Sequence, residues 1–173
     1  SFQLESRPGE LLHDHLRAVA GSAQQIFNNV NDKITTRIQL SDLRKIAYWM
    51  GATHDIGKGT RYFQDYLNHI QSPDPDFQLL KSHSYISSLY CSWIIQNSNI
   101  PSDVKDFLQT SAALGLQGHH GSLKFPNTYL DRLTDFFNKK IFERQINSFV
   151  VNELEAISQS LGLPSFRDFS QNW

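Results

Sequence analysis

The segment that leads into a neighbouring histidine and aspartate decides the fold, and it reads Leu43-Arg44-Lys45-Ile46-Ala47-Tyr48-Trp49-Met50-Gly51-Ala52-Thr53-His54-Asp55. Its apolar residues recur at steps of three and four, a period that predicts an amphipathic helix, and Ser41-Asp42 is predicted to cap the N-terminus of that helix. His54 follows Met50 by four residues and so extends the apolar face, while Asp55 points about 100° away around the axis. An imidazole and a carboxylate are costly to bury unless a partner satisfies them. The segment therefore predicts a helix that carries two polar side chains into a core, where they need a partner.

Helical periods cover most of the remaining chain, and no segment has the sustained two-residue alternation of a β-strand. Loops are predicted at Ser72–Asp76, which holds two prolines, and at Gly118–Pro126. The predicted helical stripes cover residues 12–30, 43–50, 62–70, 86–94, 104–116, 130–141 and 146–161. The sequence thus predicts an all-α fold, a compact helical bundle that forms one domain over residues 1–173.

Composition limits the classes of function. Of the 173 residues, 39% are hydrophobic and 19% charged, which is enough apolar material for a core and too little charge for a disordered chain. The net charge of −1 excludes a generally basic surface, so any contact with nucleic acid must be local. Cys91 has no partner for an intramolecular disulfide, which fits a reducing compartment. No signal peptide or membrane span is recognised, and a cytoplasmic location is expected.

Histidines are the most informative residues of the chain. Four predicted segments each bring a histidine toward the core side, and the residues concerned are His15, His54, His83, His119 and His120. Any one alone is most simply a hydrogen-bonded core residue, and a His-His pair in a loop is often just exposed. Together they would leave several polar groups unsatisfied, at about 1–3 kcal/mol each, and one or two divalent cations would satisfy all of them. Because neutral imidazoles and a carboxylate commonly bind first-row transition metals, the pattern favours a metal site. His13 and His69 are predicted to be surface residues.

Four motifs resemble those of a known family. His54-Asp55-Ile56-Gly57-Lys58 resembles the HD motif of the HD-domain metal-dependent phosphohydrolases. Extended through Phe63-Gln64 to Leu67, it resembles one branch, the HD nuclease domain of the CRISPR-associated helicase-nuclease of type I systems. Three further stretches resemble motifs of that family and occur in the same order. His15-Leu16-Arg17-Ala18-Val19-Ala20 resembles its first-helix motif, and Lys81-Ser82-His83-Ser84 resembles its central histidine motif. Gly118-His119-His120-Gly121-Ser122-Leu123 resembles its paired-histidine loop. The motifs cover most of the chain up to about residue 125.

The resemblance implies an all-helical HD-domain bundle around two metal ions that cleaves single-stranded DNA in type I CRISPR interference. The metal ligands it implies are His15, His54, Asp55, His83, His119 and His120. Asp55 would bridge the two ions and Lys58 would lie near the scissile phosphate, so these two are the expected catalytic residues. For Lys58, a solvated lysine near a helix end is the simpler alternative. The implied cofactor is a divalent transition metal, two ions of Mn, Fe, Co or Ni, and the implied partners are single-stranded DNA, a helicase subunit or domain and the crRNA-guided surveillance complex.

Two expected features are missing from the sequence. The family has a last aspartate on a C-terminal helix, but Asp131 and Asp135 lie close after the His-His loop and Asp168 has no matching context. The C-terminal part is therefore either incomplete or completes the site differently. A Walker-type phosphate loop is also absent, so the chain holds no helicase motor and is expected to be a separate nuclease subunit or a domain of a longer protein.

Two other functions stay open. A nucleotide or cyclic-dinucleotide phosphohydrolase of the same superfamily also has the His-Asp-Ile-Gly-Lys string and a later His-His pair. That branch carries a Gly-Tyr-Pro element where this chain has Lys124-Phe125-Pro126. A non-catalytic docking module is the third possibility, supported by the missing aspartate. The basic residues of the stretch 124–144, with Phe125 and Tyr129, are a candidate DNA contact, although a solvated helix face is the simpler interpretation.

Overall fold

The structure, a computed structural model, describes residues 2–30, 33, 36, 38–120, 134 and 138–172. Within these residues the chain is predominantly helical, which confirms the all-α prediction. A two-stranded antiparallel hairpin, β1 (Glu5–Arg7) and β2 (Glu10–Leu11), precedes the first helix. The helices are α1 (Leu12–Val30), α2 (Leu40–Thr53), α3 (Arg61–Leu67), α4 (Phe77–Leu80), α5 (Ser84–Gln96), α6 (Ser102–Gln117), α7 (Ile141–Asn147), α8 (Val151–Ser160) and α9 (Phe166–Gln171), with a 3₁₀ turn over Ile56–Gly59 between α2 and α3.

Helix α2 begins earlier than the sequence predicts. Its N-cap is Gln39, whose side chain makes no capping hydrogen bond, so the prediction that Ser41-Asp42 caps the helix is wrong. Both residues lie in the first turn, where the Asp42 carboxylate accepts a hydrogen bond from Lys45 Nζ at 3.0 Å. A carboxylate in the first turn still favours the helix, because it faces the positive end of the helix dipole.

The predicted stripe over 146–161 is divided between two helices. Helix α7 ends at Asn147 and α8 begins at Val151, because the residues between them pair with the segment that follows the 3₁₀ turn. Phe149 forms an isolated antiparallel bridge with Thr60, and the Val150 N–H donates to the Gly59 carbonyl at 3.2 Å. These backbone hydrogen bonds link residues about 90 positions apart, so the break has no local signal in the sequence.

Close packing at two glycines sets the positions of the elements that carry the histidines. A Cβ at Gly51 would lie 2.8 Å from the Cα of Ala20, which means that α1 and α2 touch there backbone to backbone. A Cβ at Gly57 would lie 2.5 Å from the carbonyl oxygen of His83, so the 3₁₀ turn is packed against the start of α5. Any larger side chain at either position would force these elements apart.

The main core lies between α1, α2, α5, α8 and α9. Phe166 and Phe169 of α9 are fully buried and pack against the ring of Tyr90, with centroids 5.0 Å apart in both pairs. The sequence reading missed α9 because a helix of six residues is too short for a clear period. A second cluster lies between α2, α5 and α6 and includes the buried free cysteine Cys91.

His13 is not a surface residue, and that prediction is wrong. The residue is 6% exposed, and its ring stacks on Phe2 with the centroids 4.2 Å apart. The N-terminal segment covers the second face of α1, a contact that the period of α1 alone does not reveal. His69 is exposed, as predicted. No helix in the described part of the chain is long and apolar enough to span a bilayer.

Candidate metal centre

Asp55 lies at the centre of the histidine cluster. It follows the C-terminal end of α2 and is the N-cap of the 3₁₀ turn, with a non-helical φ of −117°. The residue is 2% exposed, and imidazoles from four segments of the chain surround its carboxylate. A carboxylate buried in this way requires partners for both of its oxygens.

The first histidine group faces one oxygen of this carboxylate. His15 on α1 places Nε2 3.1 Å from Asp55 Oδ2, and His54 at the end of α2 places Nε2 3.3 Å from the same atom. The two Nε2 atoms lie 3.1 Å from each other. We call His15, His54 and Asp55 the α1–α2 group; their ligand atoms lie within 4.8 Å of one another.

The second histidine group faces the other oxygen. His83, the N-cap of α5, places Nε2 2.9 Å from Asp55 Oδ1, and His119 after α6 places Nε2 3.2 Å from it. His120 Nε2 lies 3.8 Å from Oδ1 and 2.7 Å from His83 Nε2. We call Asp55, His83, His119 and His120 the α5–α6 group, whose ligand atoms also lie within 4.8 Å of one another.

Contacts at Nδ1 orient three of these rings. The Nδ1–H of His54 donates to the Gly51 carbonyl at 2.8 Å, and that of His119 donates to the Leu116 carbonyl. His15 Nδ1 lies 3.2 Å from Oε2 of Glu10. When a ring is neutral and Nδ1 carries its proton, Nε2 has a free lone pair and can bind a metal ion, whereas a ring that also carries a proton on Nε2 donates to Asp55 instead.

The electrostatics of the cluster favour a charged carboxylate among mainly neutral imidazoles. Burial alone would raise the pKa of Asp55, but hydrogen bonds from His119, His54 and His83 outweigh it and hold that pKa well below its usual range. Burial lowers the pKa of His83, despite the hydrogen bond to Asp55.

The pKa values of His15, His119 and His120 shift in different directions. Burial lowers the pKa of His15, and burial together with the neighbouring charges of His119 and His83 lowers that of His120 to about 4. Burial alone would lower the pKa of His119, but hydrogen bonds to Asp55 and to the Leu116 carbonyl raise it. Near neutral pH three of the rings therefore favour the neutral form, which is the form that a metal ion needs.

Lys58 lies in the same cluster. Its Nζ is 2.8 Å from Asp55 Oδ2 and donates to the Ser6 carbonyl at 3.1 Å. The side chain is 11% exposed, so Lys58 is not the solvated lysine of the simpler interpretation. The structure thus brings together all the predicted site residues, namely His15, His54, Asp55, Lys58, His83, His119 and His120.

The donor set fits a divalent transition metal. In each group the imidazole nitrogens and one carboxylate oxygen lie within 4.8 Å of one another, close enough to share one ion. Lys58 adds an ammonium beside Asp55. This donor chemistry suits Mn, Fe, Co, Ni or Zn better than Mg or Ca, which prefer oxygen ligands.

The sequence reading missed Glu10, which contacts His15 from the hairpin. A weak signal was present, since Pro8-Gly9 predicts a turn just before it. Asp168 is exposed on α9 and belongs to neither ligand group, whereas Asp131 and Asp135 lie outside the described residues. Most of the basic stretch 124–144, including Phe125 and Tyr129, also lies outside them.

Comparison with known families agrees with this geometry. A family model described as "Cas3, HD domain" matches residues 4–168, a span that includes the hairpin and all the predicted site residues. No curated protein and no solved structure matches the chain significantly. Since the match extends over nearly the whole chain, the chain belongs to the Cas3 HD domain family, which makes it a metal-dependent phosphohydrolase with a role in CRISPR systems.

Proposed function

We propose that the chain is a nuclease that cleaves single-stranded DNA by two-metal phosphodiester hydrolysis in type I CRISPR interference. One observation carries the proposal: the two oxygens of Asp55 face two different histidine groups. In this interpretation each group would hold one divalent ion, and Asp55 would belong to both ligand sets. The ligands are then His15, His54 and Asp55 for one ion, and Asp55, His83, His119 and His120 for the other.

The ligand set suits an anionic substrate. Two bound divalent ions would supply Lewis acidity toward a phosphodiester and lower the pKa of water at the centre. Imidazoles bind a cation without cancelling its charge, and Asp55 is the single carboxylate in the two groups. The centre therefore keeps a net positive charge, which attracts a phosphodiester and stabilises negative charge as it develops.

Lys58 is assigned contact with a phosphate oxygen of the substrate. Its ammonium lies beside Asp55 at the edge of both ligand groups and is held there by the Ser6 carbonyl. A compact ammonium can meet a phosphate as a point charge. If this role is right, Lys58→Arg should keep part of the activity that Lys58→Ala loses. Equal loss in both variants, together with a lower melting temperature, would instead indicate that Lys58 only pairs with Asp55.

A cleft beside the α5–α6 group supports an unpaired strand as substrate. The cleft has a volume of about 460 Å³, and its lining includes Tyr66, His69, Phe77 and Lys81 but no carboxylate. Lys81 Nζ lies 3.7 Å above the ring of Tyr66, which is 46% exposed. Phe63 links the cleft to the centre, because its ring lies 5.9 Å from that of Tyr66 and 5.2 Å from that of His83. An exposed aromatic ring with a nearby cation is the usual platform for unpaired bases.

Membership in the family also implies association with a helicase and a CRISPR complex. We infer that a helicase subunit or domain delivers the single strand to this centre and that the crRNA-guided surveillance complex recruits it, in the cytoplasm. Adding both components should then increase cutting of a duplex target that the chain alone cuts poorly. An unchanged rate would contradict this inference.

The test of the function compares Asp55→Ala with the exposed control Asp106→Ala on α6. Metal content and cleavage are measured with Mn²⁺, Fe²⁺, Co²⁺, Ni²⁺ or Mg²⁺, and with a chelator, on single-stranded DNA, duplex DNA and a cyclic dinucleotide. We expect metal-dependent cutting of single strands that Asp55→Ala abolishes and Asp106→Ala retains. Turnover of the cyclic dinucleotide with DNA left intact would favour the other phosphohydrolase class. Metal-free chain without any hydrolysis would favour a docking module.

A further inference from the structure

The N-terminal hairpin contacts the α1–α2 group from outside the ligand set, through the side chain of Glu10. We propose that Glu10 is a positioning residue, whose carboxylate pairs with His15 Nδ1 at 3.2 Å and so holds His15 Nε2 toward the metal centre. The inference rests on the proposed function in so far as His15 is a metal ligand. It assigns a function to the hairpin, which the motifs of the sequence do not include.

The contact is direct and its acceptor is held in place. His15 Nδ1 lies 3.2 Å from Glu10 Oε2, and the two side chains are 23% and 29% exposed. The Ser6 hydroxyl donates to the same oxygen. The Arg7 guanidinium reaches both oxygens, with Nε 3.1 Å from Oε2 and an Nη atom 3.2 Å from Oε1. A carboxylate held by these three contacts from two residues has little freedom to turn away from the imidazole.

The hairpin fixes these partners relative to one another. Arg7 pairs with Glu10 across the two strands, and Gly9 in the connecting turn has a φ of +79°, a conformation that glycine adopts without strain. The Leu12 N–H donates to the Leu4 carbonyl at 2.8 Å, which ties the hairpin to the start of α1. Because His15 is one turn further along α1, the carboxylate of Glu10 and the ring of His15 share one rigid frame.

His15 differs from the other oriented rings in the charge of its acceptor. His54 and His119 donate from Nδ1 to backbone carbonyls, whereas His15 has a carboxylate there. A carboxylate beside Nδ1 attracts a proton on that nitrogen more strongly than a carbonyl does, and it increases the basicity of the opposite ring nitrogen. The consequence is that Glu10 acts on the α1–α2 group and leaves the α5–α6 group unaffected.

The hairpin reaches the centre at a second point. The Ser6 carbonyl accepts a hydrogen bond from Lys58 Nζ, and Lys58 in turn contacts Asp55 Oδ2. Both contacts fall on the Oδ2 side of Asp55, the side that His15 and His54 face. The hairpin is therefore a support for one half of the centre only.

The experiment compares Glu10→Gln and Glu10→Ala with the control Glu143→Gln, which changes an exposed glutamate on α7. Calorimetric titration of the chelator-treated chain with Mn²⁺ and Co²⁺ measures the affinity of each binding step. We expect Glu10→Ala to weaken one step by roughly 10–100-fold, the range typical of such supporting contacts, with the other step unchanged. Glu10→Gln, which keeps a neutral acceptor, should lose less. Equal affinities in wild type and Glu10→Ala would overturn the proposal.

A second measurement reports on the ring itself and needs no metal. Long-range ¹H–¹⁵N spectra of the metal-free chain give the tautomer of each histidine. His15 has a carboxylate at each ring nitrogen, Glu10 at Nδ1 and Asp55 at Nε2. Glu10→Ala should therefore move the proton of His15 from Nδ1 toward Nε2, while the spectrum of His54 stays the same. An unaltered His15 tautomer in Glu10→Ala would contradict the assignment. A wild-type chain that binds no metal would overturn the metal centre, and the tautomer of His15 would still decide whether Glu10 holds the ring.

Discussion

The α1–α2 group and the α5–α6 group share Asp55 but are built in different ways. His15 lies within α1 and His54 is the C-cap of α2, and these two long helices touch backbone to backbone at Gly51. Both rings have an oxygen partner at Nδ1. The histidines of the α5–α6 group lie at the start of one helix and in the turn after another, and the side chain of His120 is 58% exposed. The α1–α2 half is thus supported by close packing of two long helices, while the other half includes one solvent-exposed ligand, His120.

This difference suggests separate tasks for the two halves. A ligand set held by packed helices keeps its geometry when a substrate binds, whereas ligands at helix ends adjust more easily and leave room for an incoming group. The cleft lined by Tyr66 adds to this asymmetry, because the ring of Phe63 contacts both Tyr66 and His83 of the α5–α6 group. We expect the α1–α2 ion to be the more tightly held and the phosphodiester to approach from the α5–α6 side.

The largest effects are expected from two single variants, each of which removes one ligand, either from the α1–α2 group or from the α5–α6 group. His54→Ala should eliminate one ion and reduce cleavage to background, because the ring is oriented by the Gly51 carbonyl and has no nearby replacement in the described cluster. His120→Ala should weaken metal binding and slow cleavage without abolishing it. Metal content and initial rates of single-strand cutting measure both. Equal losses in the two variants would remove the distinction between the halves.

Adding one methyl group at Gly57 should push the 3₁₀ turn away from the start of α5, which carries His83 of the α5–α6 group. Its Cβ would lie 2.4 Å from Ile86 Cγ2 and 2.5 Å from the His83 carbonyl, so Gly57→Ala should destabilise the fold by about 1–3 kcal/mol. Gly21→Ala on α1 is the matched control, since its Cβ meets nothing within 4 Å and the substitution should stabilise slightly. Urea unfolding of the metal-free variants measures both, and a neutral Gly57→Ala would refute the close contact.

A smaller effect is expected at the cleft. Tyr66→Ala should raise the KM for single-stranded DNA by about tenfold, because a stacked base contributes about 1–3 kcal/mol, while Tyr66→Phe keeps most of the affinity. Hydrolysis of bis-p-nitrophenyl phosphate, which has no bases, should proceed equally in all three proteins. If that small diester is also hydrolysed more slowly by Tyr66→Ala, the residue supports the centre rather than the strand.

The smallest effect is a pH dependence of stability in the metal-free chain. An unfolded histidine takes up a proton near pH 6.5. In the folded chain, partial burial together with the charges of His119 and His83 holds the pKa of His120 at about 4, and burial lowers the pKa values of His15 and His83. The unfolded state then binds more protons, so stability should fall as the pH decreases from about 6.5 toward 4. The raised pKa of His119 offsets part of this loss.

His120→Gln isolates the contribution of one ring to that dependence. Unfolding free energies in chelator, measured between pH 7 and pH 4, should decrease less steeply in the variant than in the wild type. A steeper decrease in the variant would mean that the folded chain protonates His120 more easily than the unfolded chain does.

Helix positions and ligand candidates could be predicted from the sequence, because both depend on local information. The period of apolar residues marks the inner face of each helix, and it placed His15 and His54 on that face. The motifs around Asp55, His83 and His119-His120 identified the family that the match over residues 4–168 then confirmed. These features depend on short stretches of chain that can be interpreted one at a time.

Features that depend on distant partners could not be predicted in this way. The burial of His13 requires Phe2, and the break between α7 and α8 requires hydrogen bonds to the residues after the 3₁₀ turn. Glu10 follows no helical period, and its role became visible only when the hairpin was seen against α1. Residue type and spacing say nothing about such contacts, because each is decided by how separate elements pack.

The sequence by itself determined that imidazoles and one carboxylate would meet in a helical interior. Only the tertiary structure decided which oxygen of Asp55 each ring faces, across separations of 40 residues to His15 and 64 residues to His119. The physical reason is the close approach of backbones at Gly51 and Gly57. The first glycine brings α1 against α2 and so sets His15 beside Oδ2, and the second brings the 3₁₀ turn against α5 and so sets His83 beside Oδ1.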